Sequence, residues 1–71
     1  QDLTILVDGE DSDIVVEIFA SDGRLIHISN HILSQSNRII SLHLNQVNQG
    51  SYIVKVTGSR TVKTSEIIIK K

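Results

Sequence analysis

Cysteine, proline and tryptophan are all absent from the sequence, and tyrosine and phenylalanine occur once each. Without cysteine there is no disulfide framework and no thiolate metal site. That absence does not assign a compartment, because exported bacterial domains often lack cysteine too. With so few aromatics, any core must be built from isoleucine, valine and leucine. The missing proline is unusual for an all-β chain, which often places proline in turns and on sheet edges. No run of 18 or more apolar residues is present, so no segment reads as a membrane-spanning helix. The 71 residues make one small domain; a domain of this size buries only about 60% of the surface its unfolded chain exposes. The chain opens directly on strand-like residues at Leu3, and we expect residues 1–71 to be a domain excised from the end of a longer protein.

The formal net charge of −1 conceals a strong polarity along the chain. Seven of the eight acids (Asp2, Asp8, Glu10, Asp11, Asp13, Glu17 and Asp22) lie in residues 1–37. Six of the seven Lys and Arg residues (Arg38, Lys55, Arg60, Lys63, Lys70 and Lys71) lie in residues 38–71. The simpler reading is that acidic early strands lie beside basic late strands and their charges pair across the fold. The alternative is a basic face on the late strands that meets an anionic partner. Nucleic acid is a poor fit for that partner, since stacking aromatics and a clustered arginine stripe are both missing.

Hydrophobic period two recurs along the chain. The run "LTILV" (Leu3 to Val7) is stopped by the acidic turn "DGEDSD". In "IVVEIFA" (Ile14 to Ala20), Ile14, Val16, Ile18 and Ala20 share one side, while Val15, Glu17 and Phe19 share the other. "SDG" then supplies an Asp-Gly hairpin signal, and "RLIHIS" returns from Arg24 to Ser29. "NHILSQSN" has little periodicity and reads as a loop. "RIISLHL" alternates again, with Ile40, Leu42 and Leu44 opposite Ile39, Ser41 and His43. After the turn "NQVNQG", "SYIVKVT" sets Tyr52, Val54 and Val56 against Ile53, Lys55 and Thr57. The last strand, "TVKTSEIIIKK", places Ile67 and Ile69 against Ile68 and Lys70. Six strands joined by short connections argue for an antiparallel sandwich. Helix is disfavoured by the β-branched content of every apolar run.

Chemistry-bearing clusters are sparse. His27 and His31 are four apart, a spacing that pairs ligands on a helix, but His27 falls in a strand and His31 in a loop. Both read as solvent-facing, as does His43. The acids Asp8, Glu10, Asp11 and Asp13 around Gly9 resemble a calcium loop only loosely, because the EF-hand glycine and closing glutamate are absent. An acidic loop that keeps an edge soluble is the better account. There is no Gly-x-Ser-x-Gly elbow and no glycine-rich loop opening a helix. We expect no catalytic residue, no cofactor and no metal.

The order of phrases carries more than any one of them. "VVEIFASDGRLI" is followed by "ISLHLNQVNQGSYIVKV" and then by "KTSEIIIKK". This order resembles the C-terminal sorting domain of type IX (Por) secretion system substrates, a family of Gram-negative Bacteroidetes. Val16, Ile18, Phe19, Gly23, Arg24, Leu25 and Ile26 fit its first block, with Asp22 in the turn. Ala20 departs where Asp or Asn is usual. Leu42, Leu44, Val47, Gly50, Tyr52, Val54, Lys55 and Val56 fit the second. Lys63, Ile67, Ile69, Lys70 and Lys71 match the sense of the terminal basic-apolar strand. The Tyr-Pro-Asn-Pro-like opening of the family has no counterpart here.

The resemblance implies a small immunoglobulin-like antiparallel β-sandwich of about six to seven strands that acts as a non-enzymatic address. Cargo carrying it passes through the periplasm and reaches the outer membrane, the cell surface or the medium. The implied partners are the outer-membrane translocon and a sortase-like peptidase that joins cargo to anionic lipopolysaccharide. The expected recognition residues are Gly50, Tyr52, Val54, Lys55, Val56, Lys63, Ile67, Ile68, Ile69, Lys70 and Lys71. Those from Val16 to Leu25 serve the fold. Alternatives are a retained machinery or shuttle domain that binds lipopolysaccharide through the basic late strands, and a generic adhesive sandwich. Open sheet edges further lead us to expect a homodimer formed by edge pairing or strand exchange.

Overall fold

The structure, a computed structural model, describes residues 2–44 and 47–70. Its six strands are β1 (Asp2–Leu6), β2 (Asp13–Ala20), β3 (Leu25–Ile32), β4 (Ile39–His43), β5 (Gly50–Thr57) and β6 (Val62–Ile69), with no helix among the described residues. β1 and β4 form a two-stranded sheet, and the other four pair in the order β3-β2-β5-β6. Every pairing is antiparallel. The expected all-β sandwich is therefore what the chain forms.

Alternation decides which side chains enter the core. Ile14, Val16 and Ile18 of β2 are buried, as are Ile40 and Leu42 of β4, Tyr52 and Val54 of β5, and Ile69 of β6. Val7 and Leu44, each one residue past a strand, complete the cluster. Seven of the ten residues in this cluster are β-branched valine or isoleucine, and they suit the pleated geometry of a half-buried sheet. Val16 and Ile18 are completely buried at the centre of the larger sheet.

The β2–β3 hairpin turns through Ser21, Asp22 and Gly23. The Gly23 amide donates to the Ala20 carbonyl at 2.9 Å, and the Ala20 amide donates to the Arg24 carbonyl at 2.8 Å. Gly23 has φ of 89°, a region that side chains with a Cβ avoid. The Asp22 carboxylate accepts from the Arg24 amide at 3.1 Å. A register shift between Ile18 and Phe19 leaves Ile26 as the extra residue of a bulge.

One expectation fails here. β3 does not stop at Ser29 but continues through Asn30 and His31 to Ile32. Its polar side chains gave the segment a loop-like appearance. β2, however, begins at Asp13 and supplies a backbone partner for each of those residues: Val15 for Asn30, Ile14 for His31 and Asp13 for Ile32. Main-chain pairing satisfies the backbone whatever the side chains are. The Leu33 amide extends the contact by donating to the Ser12 carbonyl at 2.8 Å.

Candidate recognition surface

Among the described residues β6 is an edge strand, paired on one side only, with β5. Its inner face contributes Ile69 and the half-buried Ile67 to the core, and its outer face leaves Ile68 66% exposed. Lys70, just past the strand end, is exposed too. The expected recognition residues thus separate into two groups. Tyr52, Val54 and Ile69 are buried, and Val56 and Ile67 pack against the core. Gly50, Lys63, Ile68 and Lys70 remain on the surface, while Lys55 is half-buried. Lys71 lies outside the described residues.

Tyr52 shows how a motif residue is held from within. Its ring is buried, and its hydroxyl donates to the Asn48 carbonyl at 2.6 Å. The bond ties the residues entering β5 back onto the strand, as tyrosine corners do in other sandwiches. In the other expected motif, Val16 and Ile18 are core, Phe19 is half-buried, and Asp22, Gly23, Arg24 and Leu25 are exposed at the hairpin.

The outer face of the larger sheet carries a feature that sequence reading missed. Phe19 lies in register with Leu25 on one side and Ile53 on the other. Ser51, two residues from Ile53, faces Ile68. Residues in register share a face, so Leu25, Phe19, Ile53 and Ile68 form one apolar strip. The signal was present in the alternation, but it required the strand order to assemble it. A cleft of about 270 Å³ is also unforeseen; Leu3, Ile5, Val54, Val56 and Ile67 give it an apolar wall.

The charges follow the simpler expectation. Lys63 Nζ reaches Asp8 Oδ2 at 3.1 Å, and Glu17 is in register with Lys55. Asp11 spans from the β1–β2 loop to the β5–β6 turn. Its carboxylate accepts from the Arg60 amide at 3.0 Å, the Ser59 hydroxyl at 3.0 Å and the Thr61 hydroxyl at 3.4 Å. The Arg60 amide bond, followed by the Ser59 bond and the nearby Arg60 charge, holds the Asp11 carboxyl below its ordinary range against a smaller desolvation penalty. Gly58 sits so close that an added Cβ would collide with the Asp11 side chain, whose own Cβ would be 2.9 Å away. Asp11 thus serves as a polar clamp between two turns.

On the smaller sheet, His43 Nδ1 and Asp2 Oδ1 are 2.6 Å apart, and this hydrogen bond together with the imidazole charge holds the Asp2 carboxyl low. His27 lies in a strand as expected, but His31 belongs to the same strand rather than to a loop, and neither is fully solvent-facing. Both lie in β3, both are half-buried, and Ser29 stands between them. No group of three or more His, Cys, Asp or Glu side chains that would hold a metal occurs among the described residues.

The Secretion system C-terminal sorting domain family matches residues 1–70. No curated protein and no solved structure matches the chain.

Proposed function

The chain belongs to the type IX secretion C-terminal sorting domain family, and on that premise we propose that the outer face of β6 is what the outer-membrane translocon reads. The family's role as a sorting signal directs export to the outer membrane, the cell surface or the medium, through recognition by the type IX machinery. The finer reading is that the domain is a non-enzymatic module at the end of a longer protein. It folds in the periplasm, and its translocated cargo is then attached to the surface by the sortase-like peptidase.

The observation that supports this is the separation of the motif residues by burial. Tyr52, Val54 and Ile69 are occupied in the core, Val54 reaching the surface only as part of the cleft wall, so they offer a partner little to touch. Ile68 and Lys70 are exposed, on a strand whose other edge is unpaired among the described residues. An unpaired edge offers main-chain hydrogen bonds to an incoming strand, and alternate side chains give specificity. The lipopolysaccharide alternative has less support, because Lys63 is engaged by Asp8 and Lys55 lies beside Glu17. Edge pairing between two copies would cover the same strand and compete with the translocon.

The test replaces Ile68 with Ser and Lys70 with Gln in the cargo-bearing protein, followed by cell fractionation. Cargo should accumulate in the periplasm while circular dichroism of the purified domain is unchanged. Normal surface delivery by a folded double variant would remove the proposal and favour a generic adhesive module.

A further inference from the structure

Period-two geometry puts residues 27, 29 and 31 on one face of β3. Their side chains converge: His27 Nε2 is 3.0 Å from Ser29 Oγ, and Ser29 Oγ is 2.7 Å from His31 Nε2. Two imidazole nitrogens are therefore separated by a single oxygen. A serine hydroxyl has one proton to donate and two lone pairs. In the neutral chain one ring donates to Oγ, and Oγ donates to the lone pair of the other ring. A lone pair already points at the midpoint of the cluster.

The surroundings are asymmetric. On one side, Ile14, Val16 and Ile18 of β2 lie in register with His31, Ser29 and His27, and all three are buried. On the other side the sheet ends, because among the described residues β3 pairs only with β2. The cluster thus has a dry apolar wall and an open mouth.

We propose that His27, Ser29 and His31 form a site for a borderline divalent transition metal, typified by zinc, on the free edge of the larger sheet. Imidazole suits such ions, and hard cations prefer oxygen. A zinc ion at the present position of the serine oxygen would need each nitrogen to close in to roughly 2.0–2.1 Å. Ring rotation supplies a shift of about 1 Å, with the serine hydroxyl swinging aside to the ion's flank or to water. Both rings then carry their proton on Nδ1 and present Nε2 to the ion. The open mouth leaves the remaining positions of a tetrahedral ion to water, as water fills the open position of catalytic zinc sites. No carboxylate is hydrogen-bonded to either ring among the described residues, so the affinity should be modest and reversible.

The experiment titrates the untagged chain with zinc and follows the imidazole nitrogens by NMR. His27 and His31 should shift together in one saturable 1:1 step, while His43, held by Asp2, stays in place. Magnesium should produce no such step. Replacing His27 or His31 by Gln removes a direct ligand and should weaken zinc binding by at least the roughly tenfold that loss of an outer-shell partner costs, and His43→Gln should leave it unchanged. The site is overturned if the shifts do not saturate, if His43 responds first, if magnesium acts equally, or if both single variants keep the wild-type affinity. Because the wild-type titration reports each ring separately, the proposal can fail even if a variant does not fold.

Discussion

On the inner face of β5 and β6, Tyr52, Val54 and Ile69 are each less than one-tenth exposed, while on the outer face of the same strands Ile68 stands 66% exposed. Both faces belong to one sorting-domain signature. The two faces answer to different physical demands. The inward residues fill the core of the sandwich, and packing requires them to be apolar. Ile68 on the outer face is not required by packing, and on the proposed function its role lies in contact with a partner.

The largest effect that tests this contrast comes from a paired truncation. Ile18 is fully buried at the sheet centre, and Ile18→Ala removes packed atoms and leaves a cavity, which costs about 2–5 kcal/mol. In so small a domain that takes most of the stability, since total values run at about 0.05–0.15 kcal/mol per residue. Ile68→Ala on the outer face should change stability by no more than about 0.5 kcal/mol. Urea denaturation of both variants checks the pair. Comparable losses in the two would show that the outer face is structural as well.

A smaller effect separates two roles within one buried side chain. Tyr52→Phe keeps the ring in the core but removes the hydroxyl that donates to the Asn48 carbonyl at 2.6 Å. The expected loss is about 1 kcal/mol, the usual net worth of an internal hydrogen bond. Amide exchange should speed up around Asn48 and Gly50 before it does in β2. A uniform change across the sheet would mean that the corner bond has no local role.

Much of this arrangement was legible in the sequence, and the failures share a cause. The alternation of "IVVEIFA", "IISLHL" and "SYIVKV" gave the buried and exposed faces correctly, because a strand's two faces differ in solvent. The Asp-Gly turn at Asp22 and Gly23 was readable because few residues tolerate its φ. The end of β3 was not, since Asn30 and His31 are polar and their pairing depends on β2, which no local pattern reports. The His27–Ser29–His31 cluster was lost with it: once residue 31 is assigned to a loop, the shared face disappears. The outer strip of Leu25, Phe19, Ile53 and Ile68 likewise joins four strands that only the sheet order makes neighbours.

The smallest expected effect concerns the exception to the contrast, an outward residue on which the fold does depend. Asp11 holds the β5–β6 turn through the Arg60 amide and the Ser59 and Thr61 hydroxyls. Those bonds favour the carboxylate, so its folded pKa lies below the ordinary 3.8. A group lowered on folding contributes stability above its unfolded pKa and loses it as pH falls through the folded one. Asp11→Asn keeps the shape and an acceptor but discards the charge. The wild type should therefore be more stable than the variant by a constant margin at neutral and mildly acidic pH. That margin should begin to shrink as pH drops through about 3.8 and vanish once the carboxyl is protonated in the folded state. Asp2 is lowered in the same direction by His43, so the variant should still lose some stability in acid, only less steeply. Thermal melting of both proteins from neutral pH into the acid range reads the margin directly. A margin independent of pH would mean that shape, and not charge, fastens the turn.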